Sequence, residues 1–169
     1  MKIFLIGLPG AGKSFWVKKL SKKLKCGGYD LDNLIELAEE RTINEIFKED
    51  GEDSFRKSEA ELLRWFVEKK TYVLATGGGT PCFNGNMDWM NSQGLTVWLN
   101  EPIAIIAARL IEEKDHRPLI KNLDAAGINK FLVEKLEERK PYYSQAAIII
   151  DQPNMTEKEL FKLILKSNS

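Results

Sequence analysis

The eight residues Gly7-Leu8-Pro9-Gly10-Ala11-Gly12-Lys13-Ser14 constrain this chain more than any other stretch. They match GxxxxGK[ST], follow a short apolar run at 2–6, and open a stretch in which Val17, Leu20 and Leu24 recur on one helical stripe. A glycine loop between a strand and a helix is the context in which this pattern cradles nucleotide phosphates. The glycines permit a turn that aims successive N–H groups at phosphate oxygens, and the helix start adds positive potential. On this reading Gly10, Ala11, Gly12, Lys13, Ser14 and Phe15 form the phosphate cradle. Lys13 reaches the β/γ-phosphates and the Ser14 hydroxyl faces Mg²⁺.

The rest of the pattern fits one α/β unit spanning 1–169. Apolar strand candidates at 2–6, 72–75, 95–99 and 147–150, with a weak one at 29–31 behind Gly27-Gly28, alternate with helical stretches at 13–25, 34–41, 42–50, 55–69, 102–111, 124–139 and 157–166. Thr42 with Glu45 three residues on reads as a capping box. Five apolar strands separated by helices imply a three-layer fold, a central five-stranded parallel sheet with helices on both faces. Segment 112–122 is polar, carries Arg117-Pro118, and reads as a mobile lid; segment 32–61 reads as the acceptor-binding part. Lys+Arg and Asp+Glu number 25 each, which excludes holding nucleic acid by bulk charge. Two cysteines, Cys26 and Cys82, make no disulfide framework, and no apolar run is long enough to span a membrane. A reduced, cytoplasmic, soluble protein is expected.

A phosphate loop alone leaves the reaction open. Asp30 and Asp32 flank Leu31 at the end of the second strand. Alternation along an extended chain puts both carboxylates on one side, one to support Mg²⁺ and one to hold an acceptor hydroxyl. The competing reading is a helix cap. The strand at 72–75 ends without the usual metal-binding Asp, which leaves Asp30 as the metal candidate. Arg56 could clamp a carboxylate with its planar fork, or could be a surface cation paired with Glu52 or Glu59. Gly77-Gly78-Gly79 let a ligand approach the backbone at the edge where open α/β sheets bind. Arg117 could neutralise charge on a transferring phosphoryl group, and its neighbour His116 reads as solvated. Arg139 is a second carboxylate candidate, or a helix-end cation.

Taken in order, residues 6–14 (IGLPGAGKS), 29–36 (YDLDNLIE), 45–47 (EIF), 51–59 (GEDSFRKSE), 73–79 (VLATGGG), 117–120 (RPLI) and 139–143 (RKPYY) closely resemble the shikimate kinases, within the P-loop kinases of nucleoside-monophosphate-kinase type. The resemblance covers nearly the whole chain. It implies ATP-dependent phosphorylation of the shikimate 3-hydroxyl, on the route to chorismate and aromatic amino acids. It assigns the shikimate hydroxyls to Asp32, the carboxylate to Arg56 and Arg139, the backbone contact to Gly77, Gly78 and Gly79, and ring packing to Phe47 and Phe55. Lys13 and Arg117 would stabilise the phosphoryl group, with Ser14 and Asp30 serving Mg²⁺. Arg109 resembles the adenine-stacking arginine, and Pro153 with Asn154 would form the adenine edge. A monomer is expected. The sequence departs from the family at Cys26-Gly27-Gly28, at Phe15-Trp16 and in the loop 151–155 expected to close over adenine, whose edge is left to Pro153 and Asn154. The alternatives are a gluconate or nucleoside monophosphate kinase, and a non-catalytic ATP-binding regulator.

Overall fold

The computed structural model describes residues 1–113 and 120–167. Five strands run parallel: β1 (Lys2–Ile6), β2 (Gly27–Asp30), β3 (Tyr72–Ala75), β4 (Leu95–Leu99) and β5 (Ile148–Ile150). Their order is β2-β3-β1-β4-β5, with Ile3 opposite Val73 on one side and Leu95 on the other. Consecutive residues Ile3, Phe4, Leu5 and Ile6 are all fully buried, so both faces of the central strand are covered. The cover comes from α1 (Lys13–Leu24), α2 (Leu31–Glu39), α3 (Ile43–Asp50), α4 (Glu52–Trp65), α5 (Asn86–Gln93), α6 (Ile103–Glu113), α7 (Ala125–Tyr143) and α8 (Glu157–Ser167). Among the described residues no helix is long and apolar enough to cross a membrane.

Most expected elements are present, and the Thr42–Glu45 capping box forms with both reciprocal bonds. Four differences have physical reasons. First, β2 spans Gly27–Asp30 rather than 29–31. Its glycines admit the neighbouring helix: a Cβ on Gly28 would stand 2.7 Å from Ser21 Oγ and 2.9 Å from Val17 Cγ1, both on α1. Gly28→Ala is therefore expected to destabilise the protein by about 1–3 kcal/mol through overpacking, read as a lowered melting temperature. An unchanged melting temperature would mean that α1 is not seated on these residues.

Second, α2 starts at Leu31, three residues early, because the Asp30 side chain caps it. Third, α4 begins at Glu52 and turns 3₁₀ after Trp65, leaving Trp65 exposed and Phe66 buried. Fourth, α7 does not stop at Arg139 but runs through Pro141 to Tyr143. Pro141 removes only one N–H donor near the helix end, and Ser144 N–H still reaches the Lys140 carbonyl. The helix α5, preceded by a 3₁₀ turn at Thr80–Cys82, has no counterpart in the expected elements. Of the expected lid, Glu112 and Glu113 end α6, and Ile120 is buried. Arg117, His116 and Pro118 lie outside the described residues.

Candidate active site

The carboxyl ends of the strands meet at one cleft of about 800 Å³. Ile6 leads into the glycine loop, Asp30 closes β2, Thr76 follows β3, Glu101 lies just past β4, and Gln152 lies just past β5; these last four residues and the loop all line the cleft. Ligands of open parallel sheets bind at this edge, beside the strand where the order reverses.

In the loop, Gly10 (φ 82°) and Gly12 (φ 92°) hold left-handed backbone that a side chain would strain. Gly12 is the N-cap of α1 and has no side chain to satisfy the first-turn N–H groups, leaving them for an anion. Lys13 Nζ folds back and donates to the carbonyls of Gly7 (2.8 Å) and Leu8 (2.9 Å). Ser14 Oγ donates to Asp30 Oδ2 at 2.9 Å. Arg109 donates to the Gly10 carbonyl (3.0 Å) and pairs with Glu101 (3.1 Å), which ties α6 across the loop. Phe15 is 57% exposed and packs edge-on to Trp16, both at the cleft wall. Asn154 lines the far side with Gln152 and Met155.

Asp30 and Asp32 reach the cleft by a route other than the strand alternation expected from the sequence. They do not alternate along a strand, because the strand ends at Asp30 and Leu31 already begins α2. Both still line the cleft, for a different reason: Asp30 Oδ1 accepts from the Asp32 and Asn33 amides, and this cap turn folds the two carboxylates together. The Asp32 carboxyl is pushed up to about 6. Burial is the main cause; Asp30 and Glu59 add to it and Lys13 opposes it.

The triple glycine after β3 packs against three charged side chains. A Cβ on Gly77 would stand 2.8 Å from Asp32 Oδ1, one on Gly78 2.6 Å from Arg139 Nη1, and one on Gly79 2.5 Å from Arg56 Nη2. Asp32, Arg56 and Arg139 are far apart in sequence and come from α2, α4 and α7, yet each lies on one peptide of the same turn. Arg139 Nη1 is buried with no protein partner among the described residues. A buried guanidinium atom left unpaired is costly unless an anion completes it.

Arg56 shows both features weighed for it. It pairs with Glu52 (3.3 Å) and Glu59 (3.0 Å), as a plain helix cation would, yet only 12% of its side chain is exposed. Phe83, Phe55 and Phe47 surround its guanidinium at 4.2, 5.1 and 5.9 Å. Phe47 and Phe55 stack 4.6 Å apart. Glu59 is fully buried and also accepts from Thr80 Oγ1 at 2.5 Å.

Sequence reasoning offered Glu59 as a partner of Arg56 but missed Thr80 behind it and Glu101 at the cleft; Thr80 gives no local signal, since its contact with Glu59 is long-range. Gln152 and Met155, in the 151–155 loop expected to close over adenine, line the cleft with Asn154.

A glycine loop at the head of the central strand, with a lysine and a Ser–Asp pair beneath it and a separate set of two arginines and a carboxylate alongside, defines a P-loop kinase with a small anionic acceptor. A family model described as shikimate kinase matches residues 9–168. The chain is 38% identical to the shikimate kinase of Azobacteroides pseudotrichonymphae over 165 residues, 97% of each chain. It superposes with a TM-score of 0.90 on the crystal structure of shikimate kinase from Bacteroides thetaiotaomicron, 34% identical, covering 100% of this chain and 99% of that one. It also matches, at TM-score 0.85 and 31% identity over 98% of this chain and 90% of the other, the shikimate kinase of Acinetobacter baumannii solved in complex with shikimate. The chain belongs to the shikimate kinase family.

Proposed function

We propose that the protein transfers the γ-phosphoryl group of ATP to the 3-hydroxyl of shikimate, giving shikimate 3-phosphate and ADP on the route to chorismate and aromatic amino acids. The observation that carries this reading is the convergence of Asp32, Arg56 and Arg139 on Gly77-Gly78-Gly79 beside the phosphate loop. Arg56 and Arg139, whose buried Nη1 has no hydrogen-bond partner among the described residues, hold the acid's carboxylate, and the paired rings of Phe47 and Phe55 pack against its carbocycle. Asp32 accepts from the acceptor hydroxyl. With its carboxyl near 6 it is ionised at neutral pH and basic enough to take that proton as the oxygen attacks phosphorus.

Gly10, Ala11, Gly12, Lys13, Ser14 and Phe15 hold the triphosphate, and Lys13 follows the charge onto the transferring group. Arg109 and Asn154 border the base. Ser14 Oγ and Asp30 Oδ2 are hard oxygen donors 2.9 Å apart, a set that fits Mg²⁺, which takes its other ligands from phosphate and water. When bound, the ion would neutralise phosphate charge. Arg117 is assigned to the phosphoryl group by its motif alone. The reading includes a cytoplasmic enzyme working as a monomer of one domain.

A coupled ADP-release assay with shikimate, gluconate and AMP tests the proposal. Turnover is expected with shikimate and not with the other two. Gluconate also carries a carboxylate but lacks a ring for Phe47 and Phe55, and AMP lacks the carboxylate that Arg56 and Arg139 surround. Turnover of either without turnover of shikimate would overturn the assignment.

A further inference from the structure

We infer that Tyr143 is a positioning residue for the acid-binding half of the site, fixing through its hydroxyl the Gly78–Gly79 peptide over which Arg139 meets the substrate. Tyr143 is fully buried in the last turn of α7, and its hydroxyl donates to the Gly78 carbonyl at 2.5 Å. Its ring is held by Trp98 of β4, centroids 5.5 Å apart. Because α7 continues through Pro141, Arg139 and Tyr143 stand four residues apart on one helix face. The two side chains meet the same residue, Arg139 Nη1 over the Gly78 α-carbon and the Tyr143 hydroxyl on its carbonyl.

The consequence follows from peptide geometry. No peptide bond here is cis, and a trans peptide points its C=O and its N–H in opposite directions. With the Gly78 carbonyl turned to Tyr143, the Gly79 N–H is aimed away from α7. Neither the Gly78 nor the Gly79 amide donates to a backbone carbonyl among the described residues, and Gly78 lines the cleft. Glycines on both sides of this peptide offer little resistance to its rotation, and the phenol supplies the missing restraint. Burial pushes the Tyr143 hydroxyl well above its ordinary range, so it stays a donor at every pH at which the enzyme works.

This inference rests on the proposed acceptor, and the test separates the two. Tyr143→Phe keeps the ring and removes only the hydroxyl. It is expected to raise the KM for shikimate about tenfold while the KM for ATP stays within twofold of wild type. Trp98→Phe loosens the packing of the ring but keeps the hydroxyl; it is expected to lower the melting temperature without that split. If the wild type leaves shikimate untouched, the acceptor reading fails. If the wild type turns shikimate over and Tyr143→Phe leaves its KM unchanged, raises both KM values alike, or is matched by Trp98→Phe, the role given to Tyr143 is overturned.

Discussion

Asp32→Asn is expected to melt at a higher temperature than the wild type at pH 7.5 and to turn over at least about a hundredfold more slowly. The carboxyl is raised from an ordinary 3.8 to about 6, chiefly by burial and then by Asp30 and Glu59. A raised carboxyl means that the fold disfavours the ionised form. The penalty is absent below pH 3.8, grows as the pH rises through about 6, and is complete above it. At about 1.4 kcal/mol per tenfold in proton affinity, the ionised group costs the substrate-free fold at most about 3 kcal/mol. Asparagine removes that charge while keeping the shape, so the gain in melting temperature, at most about 10 °C for a chain of this length, should shrink as melts are repeated from pH 7.5 down to pH 4. In the wild type kcat/KM should fall as the pH drops through about 6. The residual rate of the variant should not follow that profile. A variant that melts no higher at pH 7.5 would show that the buried charge of Asp32 is not strained.

Arg56→Ala should raise the KM for shikimate about a hundredfold, a loss of about 2.7 kcal/mol, and change the KM for ATP by no more than about twofold. The guanidinium sits among Phe47, Phe55 and Phe83 with its Nη2 against Gly79, on the acceptor side and away from the triphosphate loop. The alanine also leaves the fully buried Glu59 without its cation, and breaking such a pair costs about 3–5 kcal/mol. Arg56→Lys is the companion variant. It keeps a positive charge near Glu59 but loses the flat two-pronged donor that suits a carboxylate, so its KM for shikimate should rise about tenfold with a smaller drop in melting temperature. Parallel increases in both KM values would place Arg56 outside acid binding.

The features legible in the sequence are those governed by local rules. The glycine loop with Lys13 and Ser14, the Thr42 cap, and the apolar runs of β1, β3, β4 and β5 each follow from neighbours within a few residues. The features that escaped depend on contacts across the chain. The glycines of β2 make sense only once Val17 and Ser21 are known to press on them. The pairing of Asp30 with Asp32 survived although its reason was wrong, since a cap turn and a strand end both leave a carboxylate at the sheet edge. Arg139 was identified by its motif, but its unpaired nitrogen, and the partnership of Tyr143 with Gly78, required the fold. Segment 80–94 lacks a clear apolar period, and α5 is correspondingly short.

The turn at Gly77-Gly78-Gly79 has a bearing on how the enzyme could answer an antimicrobial. Adding even one methyl group there would drive it to 2.8 Å from Asp32 Oδ1, 2.6 Å from Arg139 Nη1 or 2.5 Å from Arg56 Nη2. Any side chain that pushed an inhibitor off these peptides would also displace a group proposed to grip the acid. An inhibitor lying flat on this stretch of backbone would thus press on a surface where resistance and catalytic fitness are tied together.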